Sequence, residues 1–232
     1  MKKHTDREYE GELESIREHI LLMGAKVEEM IKSSIRSLIS RDSVMAQRLI
    51  EFDHQINRLE VETDELCLRV LARRQPVASD LRFITMALKL VTDLERIGDI
   101  GVNVCERVLE LNEEPPLGKT LASIQLMAEA AEGMVHDGLD AFVQGDVERA
   151  QQVIARDKVV NDMYTQLFRA LLTYMMEDPR NIYRATRIQS IGKYLERIGD
   201  HATNLAEMVV FMVKGKDIRH LASREAGGKA RS

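Results

Sequence analysis

Apolar side chains recur every third or fourth residue along most of this 232-residue chain, the spacing of one face of an α-helix. The spacing predicts a first long helix that ends near Ser40 and a second that Pro76 stops. Asp42 is suited to cap the second helix, and Ser79 or Asp80 is suited to cap a third. The first half of the chain is therefore predicted to hold three helices.

The second half repeats this organisation. A fourth helix is predicted to end near Gln144, where Gly145 and Asp146 supply a turn and a cap for a fifth helix. The fifth is interrupted at Asp178-Pro179, and a sixth fades near Lys214. Identical residues recur 104 positions apart, at Met23 and Met127, Met30 and Met134, Asp42 and Asp146, Ala46 and Ala150, Asp53 and Asp157, and Asn57 and Asn161.

These patterns predict an all-α fold of two tandem three-helix bundles related by internal duplication. The first bundle is assigned to residues 8–111 and the second to residues 119–216. A linker rich in Pro and acidic residues covers 112–118, and residues 222–232 have the composition of a disordered tail.

One pentapeptide, Glu-Arg-Ile-Gly-Asp, occurs twice, at residues 95–99 and 196–200. Each copy lies in a predicted helix, where its Glu and Asp are four residues apart and therefore neighbours on one face. That acidic row flanks the apolar stripe instead of lying opposite it. Like charges at this spacing cost a few tenths of a kcal/mol, so we expect something to offset the repulsion in both copies.

The second helix of each half adds an Asp and an Asn at the same spacing, Asp53 with Asn57 and Asp157 with Asn161. In the first half, Glu60 and Asp64 continue the row. If the second and third helices of each half pack side by side, carboxylate and amide oxygens converge into a site that suits Mg²⁺, Mn²⁺ or iron. The candidate metal ligands are Glu95, Asp99, Glu196, Asp200, Asp53 and Asp157.

Two alternatives compete with a plain metal-binding role for these residues. Each acidic row could be a solvated helix face that pairs with Arg96 or Arg197. A carboxylate-bridged iron-binding or oxidase bundle is the enzymatic alternative, but it requires two Glu-x-x-His pairs. The chain offers one such pair, at Glu51 and His54, and His201 is poorly placed to bind from the same turn as Asp200.

Composition narrows the functional classes further. The net charge of −5 provides no basic surface for nucleic acid, and no nucleic-acid-binding motif is present. The amino end lacks an apolar signal region and no run is long enough to span a membrane, so we expect a cytoplasmic protein. Cys67 and Cys105 are expected in the core. No nucleotide loop or catalytic triad can be identified, so the prediction is not an enzyme.

The doubled pentapeptide resembles the PhoU family of accessory and regulatory proteins of bacterial high-affinity phosphate uptake. The resemblance covers about residues 10–220 and includes three further segments, Arg74-Gln75-Pro76 followed by Asp80-Leu81-Arg82, Thr173-Tyr174-Met175-Met176-Glu177-Asp178, and Val213-Lys214-Gly215.

This resemblance implies two tandem three-helix bundles, a homodimer, and metal ions (Mg, Mn, Fe or Zn) at the acidic motifs. By this likeness Glu95 with Asp99, and Glu196 with Asp200, form the stronger pairs, while Asp53 and Asp157 open the weaker ones. The chain departs from the family pattern at Asn57 and Asn161, where an acid can stand. The implied partners are the ATPase subunit of the phosphate ABC transporter and a phosphate-sensing histidine kinase, with at most peripheral membrane contact. The implied role is to repress the phosphate-starvation response and phosphate uptake when phosphate is plentiful.

Overall fold

The computed structural model describes residues 2–118 and 120–215, with side chains from Arg7 onward. Six α-helices and one short 3-10 helix account for the secondary structure of these residues, which confirms the all-α fold of two tandem three-helix bundles. The helices are α1 (Lys2–Ser40), α2 (Ser43–Arg74), α3 (Ala78–Asn112), α4 (Thr120–Gln144), α5 (Val147–Glu177) and α6 (Ile182–Lys214), with the 3-10 helix at Pro179–Asn181. The tail predicted at 222–232 lies outside the described residues.

Local hydrogen bonds explain where two of these helices begin. Asp42 is the N-cap of α2, and its carboxylate accepts a hydrogen bond from the Met45 amide at 2.9 Å. Asp146 does the same for α5 by accepting from the Arg149 amide at 3.0 Å. Both caps satisfy backbone donors that the first helical turn leaves without partners, as the sequence predicted.

The cap predicted for α3 is wrong. The helix begins at Ala78, and Val77 occupies the N-cap position without a side-chain hydrogen bond. Asp80 lies inside the first turn and accepts a hydrogen bond from the Tyr9 hydroxyl at 3.0 Å. This carboxylate therefore ties α3 to the distant α1 instead of capping its own helix.

The two bundles share one continuous hydrophobic core. Within each half the three helices pack on one another, and the halves meet where α3 packs on α6 and α1 on α4. Among the described residues, α2 contacts only the helices of the first half, and α5 only those of the second. The outer helices are therefore α2 and α5, on either side of a central four-helix layer.

The contacts between α3 and α6 show that these helices run antiparallel. Arg82 donates to the Met212 carbonyl at 2.9 Å, and His201 and Asp93 pair at 2.7 Å. Residue numbers thus rise along α3 as they fall along α6. Because the doubled pentapeptides lie near the middle of these helices, the structure places both at about the same level.

Both cysteines lie in the core, as predicted, and neither forms a disulfide. Burial raises the pKa of the Cys67 thiol and of the Cys105 thiol to about 12. Both thiols therefore stay protonated at neutral pH and act as small apolar groups. No helix in the described part of the chain has the length and apolar character needed to cross a membrane.

Candidate functional site

Side chains of α2 pack closely against α3 at Gly98 of the first pentapeptide. A methyl group added at Gly98 would lie 3.0 Å from Asp53 Oδ1 and 3.2 Å from the Ile56 side chain. The missing side chain of Gly98 therefore leaves the space in which Asp53 fits against α3. The site defined by Asp53, Asn57, Glu60, Asp64, Glu95 and Asp99 is called the first acidic site below.

Asp53 is the most deeply buried carboxylate of this site, with 7% of its surface exposed. Asn57 Nδ2 donates to Asp53 Oδ2 at 2.9 Å. The second carboxylate oxygen, Asp53 Oδ1, and the amide oxygen, Asn57 Oδ1, are both buried without a hydrogen-bond partner. Buried oxygens are normally satisfied, so this pair identifies a place where a cation or a water would be stabilised.

The second half builds the same local arrangement between α5 and α6. Asn161 Nδ2 donates to Asp157 Oδ2 at 2.8 Å, and the Oδ1 atoms of both residues are buried without partners. The contact is looser here, since a methyl group at Gly199 would lie 3.8 Å from Asp157 Oδ1. The second acidic site consists of Asp157, Asn161, Glu196 and Asp200.

Burial and mutual repulsion make Asp53 and Glu95 of the first acidic site harder to ionise. Burial raises the pKa of Asp53, and the neighbouring Asp99 charge raises it further, while the Asn57 hydrogen bond opposes the shift. Burial also raises the pKa of Glu95, with contributions from Asp99 and Asp53. The interaction of Asp53 with both residues shows that the structure brings the α2 and α3 carboxylates together, as their spacing suggested.

The second acidic site shows the same coupling. Burial raises the pKa of Asp157, and Glu196 adds to the shift. Burial also raises the pKa of Asp200, with repulsion from Glu196 and Asp157. The three carboxylates on α5 and α6 therefore face one another across the helix pair.

The two sites differ at their far ends. Burial raises the pKa of Glu60, and Glu95 and Asp64 raise it further, so the α2 row extends the first site. The positions equivalent to Glu60 and Asp64 in the second half hold Tyr164 and Phe168. The first acidic site thus contains five carboxylates, and the second contains three.

Each site also contacts one cation. Arg96, with 57% of its side chain exposed, lies 3.5 Å from Glu95 and 3.4 Å from Asp99. Exposed pairs of this kind contribute at most about 1 kcal/mol, so Arg96 compensates the repulsion only in part. In the second site Lys193 forms an ion pair with Glu196. Sequence reasoning did not identify Lys193 as a neighbour of the second acidic site. The signal was available, since aligning the two halves places Lys193 opposite the uncharged Thr92.

The donor set fits an oxygen-liganded cation, since each site supplies carboxylates together with buried oxygens that lack hydrogen-bond partners. Nevertheless, no three His, Cys, Asp or Glu side chains of the described residues are arranged as a metal-binding group. The residues that would hold an ion therefore carry oxygen donors and lie near one another. Their acidic side chains do not converge on a single point in this structure. The assignment of metal to these residues stays a prediction.

The histidines of the enzymatic alternative lie elsewhere. Glu51 and His54 are both exposed on α2. His201 is half-buried between α3 and α6, where it pairs with Asp93 instead of with the row that contains Asp200. The described structure thus provides no second Glu-x-x-His pair facing the first.

The sequence and the fold can be compared with known proteins. The PhoU domain family matches the chain twice, at residues 20–108 and 124–209. The phosphate-specific transport system accessory protein PhoU homolog of Pseudomonas putida is 43% identical over 218 residues, which cover 94% of this chain and 85% of that protein. The phosphate-specific transport system accessory protein PhoU of Escherichia coli K12 is 38% identical over 227 residues, covering 97% and 93%.

Solved structures agree with this relationship. The crystal structure of PhoU from Pseudomonas aeruginosa superposes with a TM-score of 0.86 at 44% identity and covers 90% of this chain and 100% of that one. The phosphate transport system regulatory protein PhoU from Streptococcus pneumoniae gives a TM-score of 0.84 at 28% identity, covering 90% and 99%. With both halves matched by the family and the similarity extending over nearly the whole chain, this protein belongs to the PhoU family.

Proposed function

We propose that this chain is a metal-binding regulatory adaptor of phosphate uptake. It links the high-affinity phosphate ABC transporter to a sensor histidine kinase and represses the starvation response when phosphate is plentiful. The observation that carries this proposal is similarity over nearly the full length of proteins named as phosphate-specific transport system accessory proteins. The structural relative from Streptococcus pneumoniae is likewise named as a phosphate transport system regulatory protein.

An adaptor needs surface for its partners, and the packing of the helices supports that use. Because α2 and α5 contact only their own halves, each leaves an outer face free of the other half. The proposed partners are the ATPase subunit of the transporter and the sensing part of the kinase, at the cytoplasmic side of the membrane. We include a homodimer in the proposal, which sedimentation equilibrium would test.

Metal enters the proposal through the unpartnered oxygens. In each half an Asp and an Asn on the outer helix present buried oxygens to the carboxylates of α3 or α6. A divalent or trivalent cation such as Mg²⁺, Mn²⁺, iron or Zn²⁺ would neutralise these coupled carboxylates and join the outer helix to the centre. The packing of α2 on α3, or of α5 on α6, would then depend on whether the ion is bound.

Deletion of the gene in its host tests the regulatory role. A reporter controlled by a phosphate-repressible promoter should stay active in high phosphate, and the wild-type gene should restore repression. Normal repression in the deletion strain would refute the adaptor proposal.

Complementation with variants tests the role of the metal. Glu95→Gln with Asp99→Asn removes two charges of the first acidic site and should weaken repression. Glu14→Gln with Glu18→Gln is the matched control, since these exposed residues have the same four-residue spacing on α1. Equal repression by both double variants, at equal protein levels, would remove metal from the proposal and leave the adaptor role intact.

A further inference from the structure

The two acidic sites share four equivalent residues (an Asp and an Asn on the outer helix, a Glu and an Asp on the central one) but differ in charge. The first contains five carboxylates and contacts the exposed Arg96. The second contains three carboxylates and contacts Lys193. A divalent cation therefore meets a much more negative field in the first site, and the affinity of oxygen-ligand sites rises with the number of charged ligands.

Lys193, with 50% of its side chain exposed, contacts two neighbours at the edge of the second site. Its ammonium group forms an ion pair with Glu196, whose side chain is 15% exposed, and lies 5.6 Å from the centre of the Tyr164 ring. Tyr164 stands at the position that Glu60 occupies in the first half. The replacement of a carboxylate by an aromatic ring thus provides a second favourable contact for the lysine.

The first site has no lysine at the equivalent position, which Thr92 occupies. Among the described residues its one cation is Arg96, which lies 3.4 to 3.5 Å from Glu95 and Asp99. Asp53 is more than nine-tenths buried, and its free Oδ1 points toward Gly98 within the site. An unpartnered, deeply buried carboxylate oxygen is the feature that a bound cation would satisfy.

We propose that the two sites bind divalent cations unequally, with the first site binding the ion more tightly and Lys193 acting as a counter-ion that competes with a cation at the second site. This inference rests on the metal-binding part of the proposed function and not on its regulatory part. Lys193 is accordingly a residue that determines selectivity between the halves.

The experiment is a Mn²⁺ titration of the full-length, metal-free protein, with free Mn²⁺ measured by electron paramagnetic resonance. The wild type should show a tighter and a weaker class of site. Glu95→Gln with Asp99→Asn should remove the tighter class, which assigns it to the first half. Lys193→Thr, which copies the residue at position 92, should strengthen the weaker class by up to roughly fivefold, because the positive charge of a half-exposed ion pair is lost.

Two further variants make the test specific. Thr92→Lys introduces the lysine into the first site and should weaken the tighter class. Thr92 is exposed, so this variant remains a valid test even if Lys193→Thr fails to fold. Lys32→Thr removes one positive charge from an exposed position on α1 and should leave both classes unchanged.

The outcomes separate this inference from the proposed function. Two equal classes in the wild type, or Mn²⁺ affinities that neither Lys193→Thr nor Thr92→Lys alters, would overturn the inference alone. No Mn²⁺ binding by any variant would overturn both the inference and the metal-binding part of the proposed function. The regulatory part depends on the deletion strain, whose result is independent of these titrations.

Discussion

Gly98 and Gly199 occupy the same position of the repeated pentapeptide, yet their substitution by alanine should have opposite effects. At Gly199 the added methyl group would lie 3.6 Å from the Val160 side chain, which is ordinary van der Waals contact. At Gly98 it would lie 3.0 Å from Asp53 Oδ1 and 3.2 and 3.3 Å from Ile56 atoms. The surroundings of the two glycines thus differ, although both lie inside a helix and have the same neighbours in sequence.

The magnitudes follow from two opposing effects. Replacing a glycine by alanine inside a helix stabilises a protein by roughly 0.5–1 kcal/mol when space is available. Gly199→Ala should gain about that amount. Overpacking in a core costs roughly 1–3 kcal/mol. Because Asp53 is 7% exposed and Ile56 fully buried, neither can move away easily, and Gly98→Ala should lose about 1 kcal/mol net.

The assay is urea unfolding followed by circular dichroism at 222 nm in the presence of a chelator. Gly11→Ala on α1 is the control for helix propensity, since nothing lies within 4 Å of its added methyl group. The free energies of unfolding of the two pentapeptide variants should differ by about 2 kcal/mol. In a thermal melt the same difference corresponds to roughly 4–8 °C in melting temperature for a chain of this size. If Gly98→Ala proves as stable as Gly199→Ala, the argument that Gly98 admits α2 to the first acidic site is refuted.

Three further predictions follow from the acidic sites and the core. The melting temperature should rise with Mg²⁺ or Mn²⁺ and rise less in Glu95→Gln with Asp99→Asn, because an ion that binds only the folded state stabilises it; an equal rise with NaCl at matched ionic strength would indicate screening alone. The raised carboxyl pKa values mean that the folded, metal-free protein takes up protons more readily than the unfolded chain, so the unfolding free energy should increase as pH falls from 7 toward about 4. Asp53→Asn should reduce that increase in urea titrations across the range, whereas an unchanged pH profile would contradict the contribution assigned to Asp53. Leu94→Ala or Leu195→Ala should cost about 2–5 kcal/mol because both side chains are buried in the core. Leu126→Ala, at an exposed position, should change stability by less than about 0.5 kcal/mol, and similar losses for buried and exposed leucines would refute the core assignment.

The sequence by itself determined most of the local structure. Helix periodicity and the caps at Asp42 and Asp146 depend on residues within a few positions of one another, and both predictions were confirmed. The same local reasoning placed Glu95 and Asp99 beside each other on one helix face, and the internal repeat predicted a second copy. These results were accessible because hydrogen bonds along a helix and neighbours at i+4 are set by chain geometry.

Only the tertiary structure decided how these elements meet. Asp80 bonds to Tyr9, 71 residues away, so its predicted capping role failed for a reason that no local pattern contains. The antiparallel packing of α3 on α6 joins the halves into one core. The contact of Lys193 with Glu196 and the tighter fit at Gly98 then make the duplicated acidic sites unequal. Such differences arise because repeated helices retain their local geometry, while the contacts between packed helices depend on side chains that are far apart in the sequence.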